Sequence, residues 1–484
     1  MAETAVPTIT PSVSTGGLVD LTRPHFVGIG GMGMLPVARV CAERGYTVSG
    51  SDARTSEGLK ELVRCGVTVH IGHAAGQVPA DATAVVFTHA VGEDNPEITE
   101  ARRRGIPLVH RSAALNALMA ADRVAVAVLG THGKTSTSGM LAFLLGSMGQ
   151  EPSYVVGGDL DVPGSGGYAG RGCFFVAEVD ESDRSHIGVR MGVAVLTNIG
   201  HDHPENYAAA MDHIDAYEQC LRVGLDVHGT LVLSADDPGC RELASRLAMR
   251  GDGPKTVTFG LSSSADWRLT EAASTGGHTT AVLCGPGGVE FDLVLRVPGV
   301  HQLLNAAAAV ATLYILGQEC DLAVEQLGYF DGVRRRMTLS GEAAGVLVFD
   351  SYAHHPDEVS VDLAAARSLV EAGGRVIAVF QPSGQARLDA FGGDFAKALA
   401  GSDQVVLTDS PQRVAAGSLE ALAARINDAG GNAWHVVPNR AQAMVSAAGE
   451  ARSGDVVVLM GTGDIVESGP LLLAALGEMA PVAA

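Results

Sequence analysis

The chain has 484 residues and a formal charge of −21 at neutral pH, which asks for more than one hydrophobic core and sets nucleic acid and anionic membrane surfaces against it as main partners. With 61 glycines and only 5% aromatic residues, the composition favours α/β units rich in strand-to-helix turns over an all-β sandwich. The seven scattered cysteines stand in no C-x-x-C spacing, no apolar run reaches the roughly 20 residues of a membrane helix, and the start carries no secretory pattern, so a reduced, cytoplasmic protein is expected.

Residues 1–22 read as a disordered tail. The segment "HFVGIGGMGMLPVARVCAERGYTVSGSD" then runs a short strand into Gly28, Gly30 and Gly33, an apolar helix, and a second strand ending at Asp52. A glycine turn that opens a helix presents backbone N–H groups to a phosphate, and an acid at that distance suits a ribose hydroxyl. G-x-G-x-x-G alone is weak and serves packing as readily as binding. It leaves a nicotinamide-dependent dehydrogenase open. The runs "VTVHIG", "AVVFTHAV" and "PLVHR" continue the alternation, which makes residues 23–121 one Rossmann-like unit.

The second unit, 122–332, opens on "VAVAVLGTHGKTSTSGML". An apolar strand stops at Gly130, and a helix begins beyond Lys134. Such a turn is a phosphate cradle: the N–H groups of Gly130, Thr131, His132, Gly133 and Lys134 face an anion, with Ser136 in the first helical turn. Lys134 adds a mobile charge and the Thr135 hydroxyl is placed to ligate Mg²⁺. The glycine spacing is the short G-x-x-G-K-T, since Val128 stands where the longer P-loop has its first glycine. Further on, "CFFVA" ends at Glu178, the first of four acids in "EVDESD", and "GVAVLTNIG" leads to His203. Both lie at carboxyl ends of strands, the edge where open α/β sheets bind ligands. Glu178 is therefore read as a metal ligand and His203 as the imidazole ligand of a second metal, ahead of His201. In "VPGVHQLLNAAAAV" a turn enters an alanine-rich helix that carries His301 and Asn305 on one face.

The third unit, 333–484, repeats strand and helix through "VLVFDSYAHHP", "VIAVFQP", "QVVLTDS", "AWHVVP" and "VVVLMGTGDIV". It places Asp350, Tyr352 and His354 at a strand end. Before it, "GVRRR" puts three arginines between two units, where phosphate charge has to be met.

Taken in order, "HFVGIGGMGM", "GTHGKTSTS", "EVDESDRS", "TNIGHDH", "LLNAAAAV", "GVRRR", "DSYAHHPDEV", "VFQP" and "MGTGDI" resemble the ATP-dependent Mur ligases, in the branch that acts on UDP-N-acetylmuramate and L-alanine, over nearly the whole chain from His25 to Val466. The resemblance implies a UDP-sugar unit, an ATPase unit and an amino-acid unit. It implies an ADP-forming ligase that joins an amino acid to a carboxylate of the UDP-sugar through an acyl phosphate, acting on small molecules as a monomer or homodimer in cell-wall synthesis, with ATP and Mg²⁺. Lys134, Thr135, Glu178 and the metal at His203 would then neutralise phosphate charge, Arg335 or Arg336 would meet the γ-phosphate or acyl phosphate, and Asp350 the ribose. Gly28, Gly30, Gly31, Gly33, Asp52 and His89 would serve the UDP-sugar, His301 and Asn305 the nucleotide, and Tyr352, His354 and Arg387 the amino-acid end. Three stretches depart from the family pattern. "FTHAV" stands for V-S-S-A-I, Gln302 follows His301 where the family has H-N, and "SGQARL" stands for H-R-Y-S-R-T. The last removes a histidine and an arginine at Ser383 and Gly384 and keeps Arg387, so a paralogue that uses a different amine or carboxylate is the alternative. A non-catalytic nucleotide-binding protein is the remaining one.

Overall fold

The computed structural model describes residues 19–122, 124–160, 164–251, 253–409 and 413–479. Three sheets follow one another along the chain, each covered by helices. The first is wholly parallel, in the order Thr68–Ile71, Ser49–Asp52, Pro24–Val27, Ala84–Phe87, Leu108–His110. Pro24–Val27 sits at its switch point, so the Gly28 loop and the turn after Phe87 open a crevice at the carboxyl edge. Of the expected tail, residues 1–18 lie outside the described residues. Residues 19–22 run into this unit, with Leu21 buried in its core and the Thr22 carbonyl accepting from Thr47 N–H.

The central sheet has ten strands. Val124–Leu129 lies between Met191–Leu196 and Phe174–Glu178, parallel to both. These strands are near-continuous apolar runs because helices cover both faces. Three loops that follow them, at 130–133, after Glu178 and at 197–203, share one edge. At the far side the sheet continues as the antiparallel strands Trp267–Thr275, His278–Cys284 and Glu290–Leu295, an extension that the sequence pattern left unread. The helices Lys134–Ser147 and Val300–Ile315 pack together over the sheet.

The third sheet runs in the order Arg336–Ala343, Val346–Ser351, Val456–Met460, Val376–Phe380, Gln404–Leu407, Ala433–Val436. Its first strand is antiparallel to its neighbour and the others are parallel. Among the described residues no helix is long and apolar enough to cross a membrane.

Candidate active site

All three units contribute to one cleft. The central unit gives it 131–135, Glu178, Asp180, Glu181, Asp202 and His203; the first gives Met32, Gly33 and Arg111; the third gives Arg336, Tyr352, His354 and Glu358.

The phosphate cradle is built on two left-handed glycines. Gly130 has φ +125° and Gly133 φ +82°, and a Cβ on Gly133 would lie 2.6 Å from the Asn305 side-chain oxygen. Only glycine accepts both the angle and the approach. Not every N–H expected in the cradle is open: Thr131 N–H donates to the Asn198 carbonyl (3.1 Å) and His132 N–H to its side chain (2.8 Å). The first helical bond is Thr137 N–H to Gly133, so the open donors are those of the helix start at Lys134, Thr135 and Ser136. The Lys134 ammonium folds back on the carbonyls of Gly130 (2.6 Å) and Thr131 (3.0 Å) and on Glu181 (2.9 Å). Burial pushes the Glu181 carboxyl up, against the pull of Lys134.

The Thr135 hydroxyl donates to Glu178 Oε1 (3.1 Å) and accepts from Arg336 (3.0 Å). Glu178 Oε2 accepts from Gly157 N–H at 2.7 Å. Thr135 and Glu178 are thus an oxygen donor pair of the kind Mg²⁺ prefers. His203 lines the same cleft and holds φ +53°, a conformation unusual outside glycine. Its ring nitrogens lie 3.3 Å from Glu205 and 3.6 Å from Asp202. Two groups of potential ligand atoms within 4.8 Å of one another occur among the described residues, His89–His110–Asp183 and His132–His355–Asp357, and neither includes Glu178 or His203. His201 Nε2 faces the Tyr207 carbonyl at 3.3 Å.

The adjacent arginines separate. Arg336 enters the cleft between Thr135 and Glu358, with its guanidinium 5.5 Å from the Tyr352 ring centre. Arg335, with φ +65°, points instead to Met32 of the first unit. Asn305 holds the Thr137 hydroxyl at 3.3 Å and donates to Gln302, whose amide reaches His301 Nε2 at 3.2 Å. Burial lowers the His301 imidazole to about 4, so the ring is neutral. Asp350 lies on the strand Val346–Ser351, outside the residues that line the cleft. Its Oδ1 is buried with no hydrogen-bond partner among the described residues, and burial raises the carboxyl to about 7.

In the first unit the glycine loop spends much of its donor set on itself. Gly28 and Ile29 N–H both go to the Ser51 carbonyl, Gly30 N–H to Asp52 (2.9 Å), and Gly31 N–H to the Gly28 carbonyl. Asp52 therefore holds the loop. Met32 and Gly33 are what the loop presents to the cleft, beside Arg111, whose guanidinium occupies the space a Gly33 Cβ would need. Arg111 donates to Asp180 at 2.8 Å. The Gly33→Val replacement should displace Arg111 and raise KM for the substrate of this unit about tenfold, with nucleotide affinity unchanged in a binding titration. His89 and His110 both meet Asp183, at 3.1 and 3.2 Å.

Arg387 does not project a free charge. It holds Asp202 with both terminal contacts at 2.7 Å and Nε at 3.1 Å. Burial raises the Asp202 carboxyl, but His203 and Arg387 outweigh it and the group stays well below the usual carboxylate range. Sequence reasoning missed Arg111, Asp180, Glu181, Asp202 and Glu358. The run "EVDESD" signalled two of them: Asp180 meets Arg111, and Glu181 meets Lys134.

Three family models match the chain: "Mur ligase family, catalytic domain" over 23–123, "Mur ligase middle domain" over 128–313 and "Mur ligase, glutamate ligase domain" over 335–463. A UDP-N-acetylmuramate–L-alanine ligase of Streptomyces griseus is 44% identical over 94% of this chain and 97% of its own length. One from Thermobifida fusca is 41% identical over 94% and 97%. Among solved structures, the UDP-N-acetylmuramate-alanine ligase of Thermotoga maritima superposes with a TM-score of 0.78 at 28% identity, over 93% of this chain and 98% of that one. A Thermotoga maritima MurF ligase in complex with ADP shares the fold, with a TM-score of 0.61 at 18% identity over 95% and 98%.

Proposed function

The chain belongs to the Mur ligase family, and from that premise we propose that it joins L-alanine to the carboxylate of UDP-N-acetylmuramate, with ATP converted to ADP and phosphate. The observation that carries the reading is the convergence of Lys134, Thr135 and Glu178, Arg111 with Gly33, and Arg336 with Tyr352, one set from each unit, on a single cleft. A dehydrogenase would leave the second phosphate loop without a role. The relatives, each aligned over more than nine-tenths of this chain, carry one activity in their names, which weighs against the paralogue reading despite "SGQARL".

In the first step a carboxylate oxygen of the UDP-sugar attacks the γ-phosphorus, and the bond from that phosphorus to the ADP oxygen breaks. Lys134 leaves Glu181 and the loop carbonyls for the β,γ-phosphates, and Arg336 meets the transferring group, so positive charge is set where negative charge develops. Thr135 and Glu178 would hold Mg²⁺, and His203 is offered to a second ion; bound there, such ions would supply further positive charge to the phosphate oxygens. Arg111 and the Met32–Gly33 turn hold the pyrophosphate, while Asp350, buried outside the cleft lining, is not assigned to the ribose. In the second step the amine attacks the acyl carbon, the carbon–oxygen bond to phosphate breaks, and the amide forms. The reading places the reaction in the cytoplasm, where ATP is supplied. Its test is incubation with UDP-N-acetylmuramate, ATP and a panel of amino acids, products identified by mass. The L-alanyl product with equimolar ADP is expected; no amide product with any amino acid would sink it.

A further inference from the structure

Resting on that ligase reading, we propose that His354 is the base that takes the proton from the incoming ammonium group, with Glu358 as its positioning residue. An amino acid arrives largely protonated at neutral pH and has no nucleophilic lone pair until one proton leaves. A group in the cleft has to accept it.

The acids of the cleft are committed elsewhere. Asp180 is held by Arg111 and Asp202 by Arg387, while Glu181, which Lys134 leaves when the nucleotide binds, is only 2% exposed and lies against the phosphate cradle, at the nucleotide end of the cleft. Glu358 lies between His132 (3.5 Å) and Arg336 (3.5 Å); burial pushes its carboxyl up, but His354 and His132 outweigh that and keep it well below its usual range. It is too weak a base for an ammonium. His354 is placed differently. Its Nδ1 lies 2.8 Å from the Tyr352 carbonyl oxygen and 3.2 Å from Glu358 Oε2. Both neighbours only accept, so in the neutral ring the proton sits on Nδ1 and donates, leaving a lone pair on Nε2. Nε2 takes no hydrogen bond from the described residues, and the residue lines the cleft. The main chain is fixed as well, because His354 N–H donates to the same Glu358 oxygen at 3.0 Å.

An imidazole whose far nitrogen is anchored by a carboxylate is the arrangement of an oriented general base. Glu358 also stabilises the imidazolium once it forms. The groups beside the ring are Glu358 and Tyr352, whose ring centre is 5.2 Å away; Arg336 reaches both Glu358 (3.5 Å) and the Tyr352 ring (5.5 Å), and His132 reaches Glu358 (3.5 Å) and Asp357 (3.7 Å). The balance is complete. One ammonium proton passes to His354 Nε2 and then to solvent. The nitrogen lone pair forms the C–N bond, the C–O bond breaks toward phosphate, and the second nitrogen proton leaves with the phosphate.

The test compares unaltered enzyme with His354→Ala, His354→Asn and Glu358→Gln, under saturating ATP and UDP-N-acetylmuramate. Two acceptors are used: L-alanine, and hydroxylamine, which is neutral near pH 7 and needs no base. With L-alanine the His354 variants should lose about 10²- to 10⁴-fold in kcat/KM, and the deficit should shrink steadily as pH rises toward the amine's own pKa. With hydroxylamine they should lose no more than a few-fold in hydroxamate formation. Glu358→Gln should give a smaller deficit with the same pH trend. A deficit constant across pH, or an equal loss with hydroxylamine, would overturn the assignment and make His354 a binding or structural residue. If the unaltered enzyme releases no ADP with either acceptor, the ligase reading fails and the base assignment falls with it.

Discussion

Lys134→Ala should lower ADP formation by about 10³-fold or more, while the protein stays folded. The ammonium stands at the mouth of the cradle, and its present contacts are two loop carbonyls and Glu181. Those contacts are replaceable by water and by protonation. Glu181, whose side chain is 2% exposed and which burial already pushes up to about 7, should take up a proton when Lys134 is gone instead of unfolding the loop. Water or a proton cannot stand in for the ammonium at the transferring phosphoryl group, where it acts beside Arg336. Glu178→Ala should act in the same direction by removing the carboxylate beside Thr135. The measurement is steady-state ADP release together with a thermal melt. A variant that turns over within tenfold of the unaltered enzyme would remove Lys134 from the nucleotide site.

Arg387→Ala should give the largest loss of stability, about 3–5 kcal/mol by analogy with other buried pairs deprived of one partner. Asp202 and Arg387 are 6% and 15% exposed, 185 positions apart in sequence, and they tie the 197–203 loop of the central unit to the third unit. Removing the guanidinium leaves a buried carboxylate with only the His203 ring, 3.6 Å away, beside it. Because the folded state depresses the Asp202 pKa, the pair's contribution is fully present above the ordinary carboxylate range and is lost as pH falls through the folded value. The gap in melting temperature between the variant and the unaltered protein should therefore be widest near neutrality and narrow in acid. The double replacement Asp202→Asn with Arg387→Gln should cost less than Arg387→Ala alone. An Arg387→Ala protein as stable as the original would show that the contact holds nothing.

Where a function depends on punctuation within one stretch of chain, the sequence was readable. Gly130, Gly133, Lys134 and Thr135 announce their turn because an apolar strand stops and a helix starts within six residues, and Glu178 and His203 follow from where buried strands end. What it concealed are relations between distant residues. Nothing local says that Arg387 faces Asp202, that Asp180 meets Arg111, or that Glu358 gathers His132, His354 and Arg336 from both sides of an inter-unit cleft. The glycine loop shows the same limit in reverse: G-x-G-x-x-G suggested open N–H groups, yet Gly30 and Asp52 satisfy each other. The antiparallel strands 267–295 escaped because their inward residues alternate with exposed polar ones at a sheet edge, a pattern weaker than the apolar runs of the central strands.

The central claim is that ATP activates a substrate carboxylate as an acyl phosphate. It is tested most directly with UDP-N-acetylmuramate carrying ¹⁸O in its carboxylate, in the presence of ATP and L-alanine. One ¹⁸O should appear in the released phosphate for each amide formed, with ADP as the other product, because the oxygen that attacks the γ-phosphorus leaves with it. Unlabelled phosphate, or AMP and pyrophosphate in place of ADP and phosphate, would contradict the account.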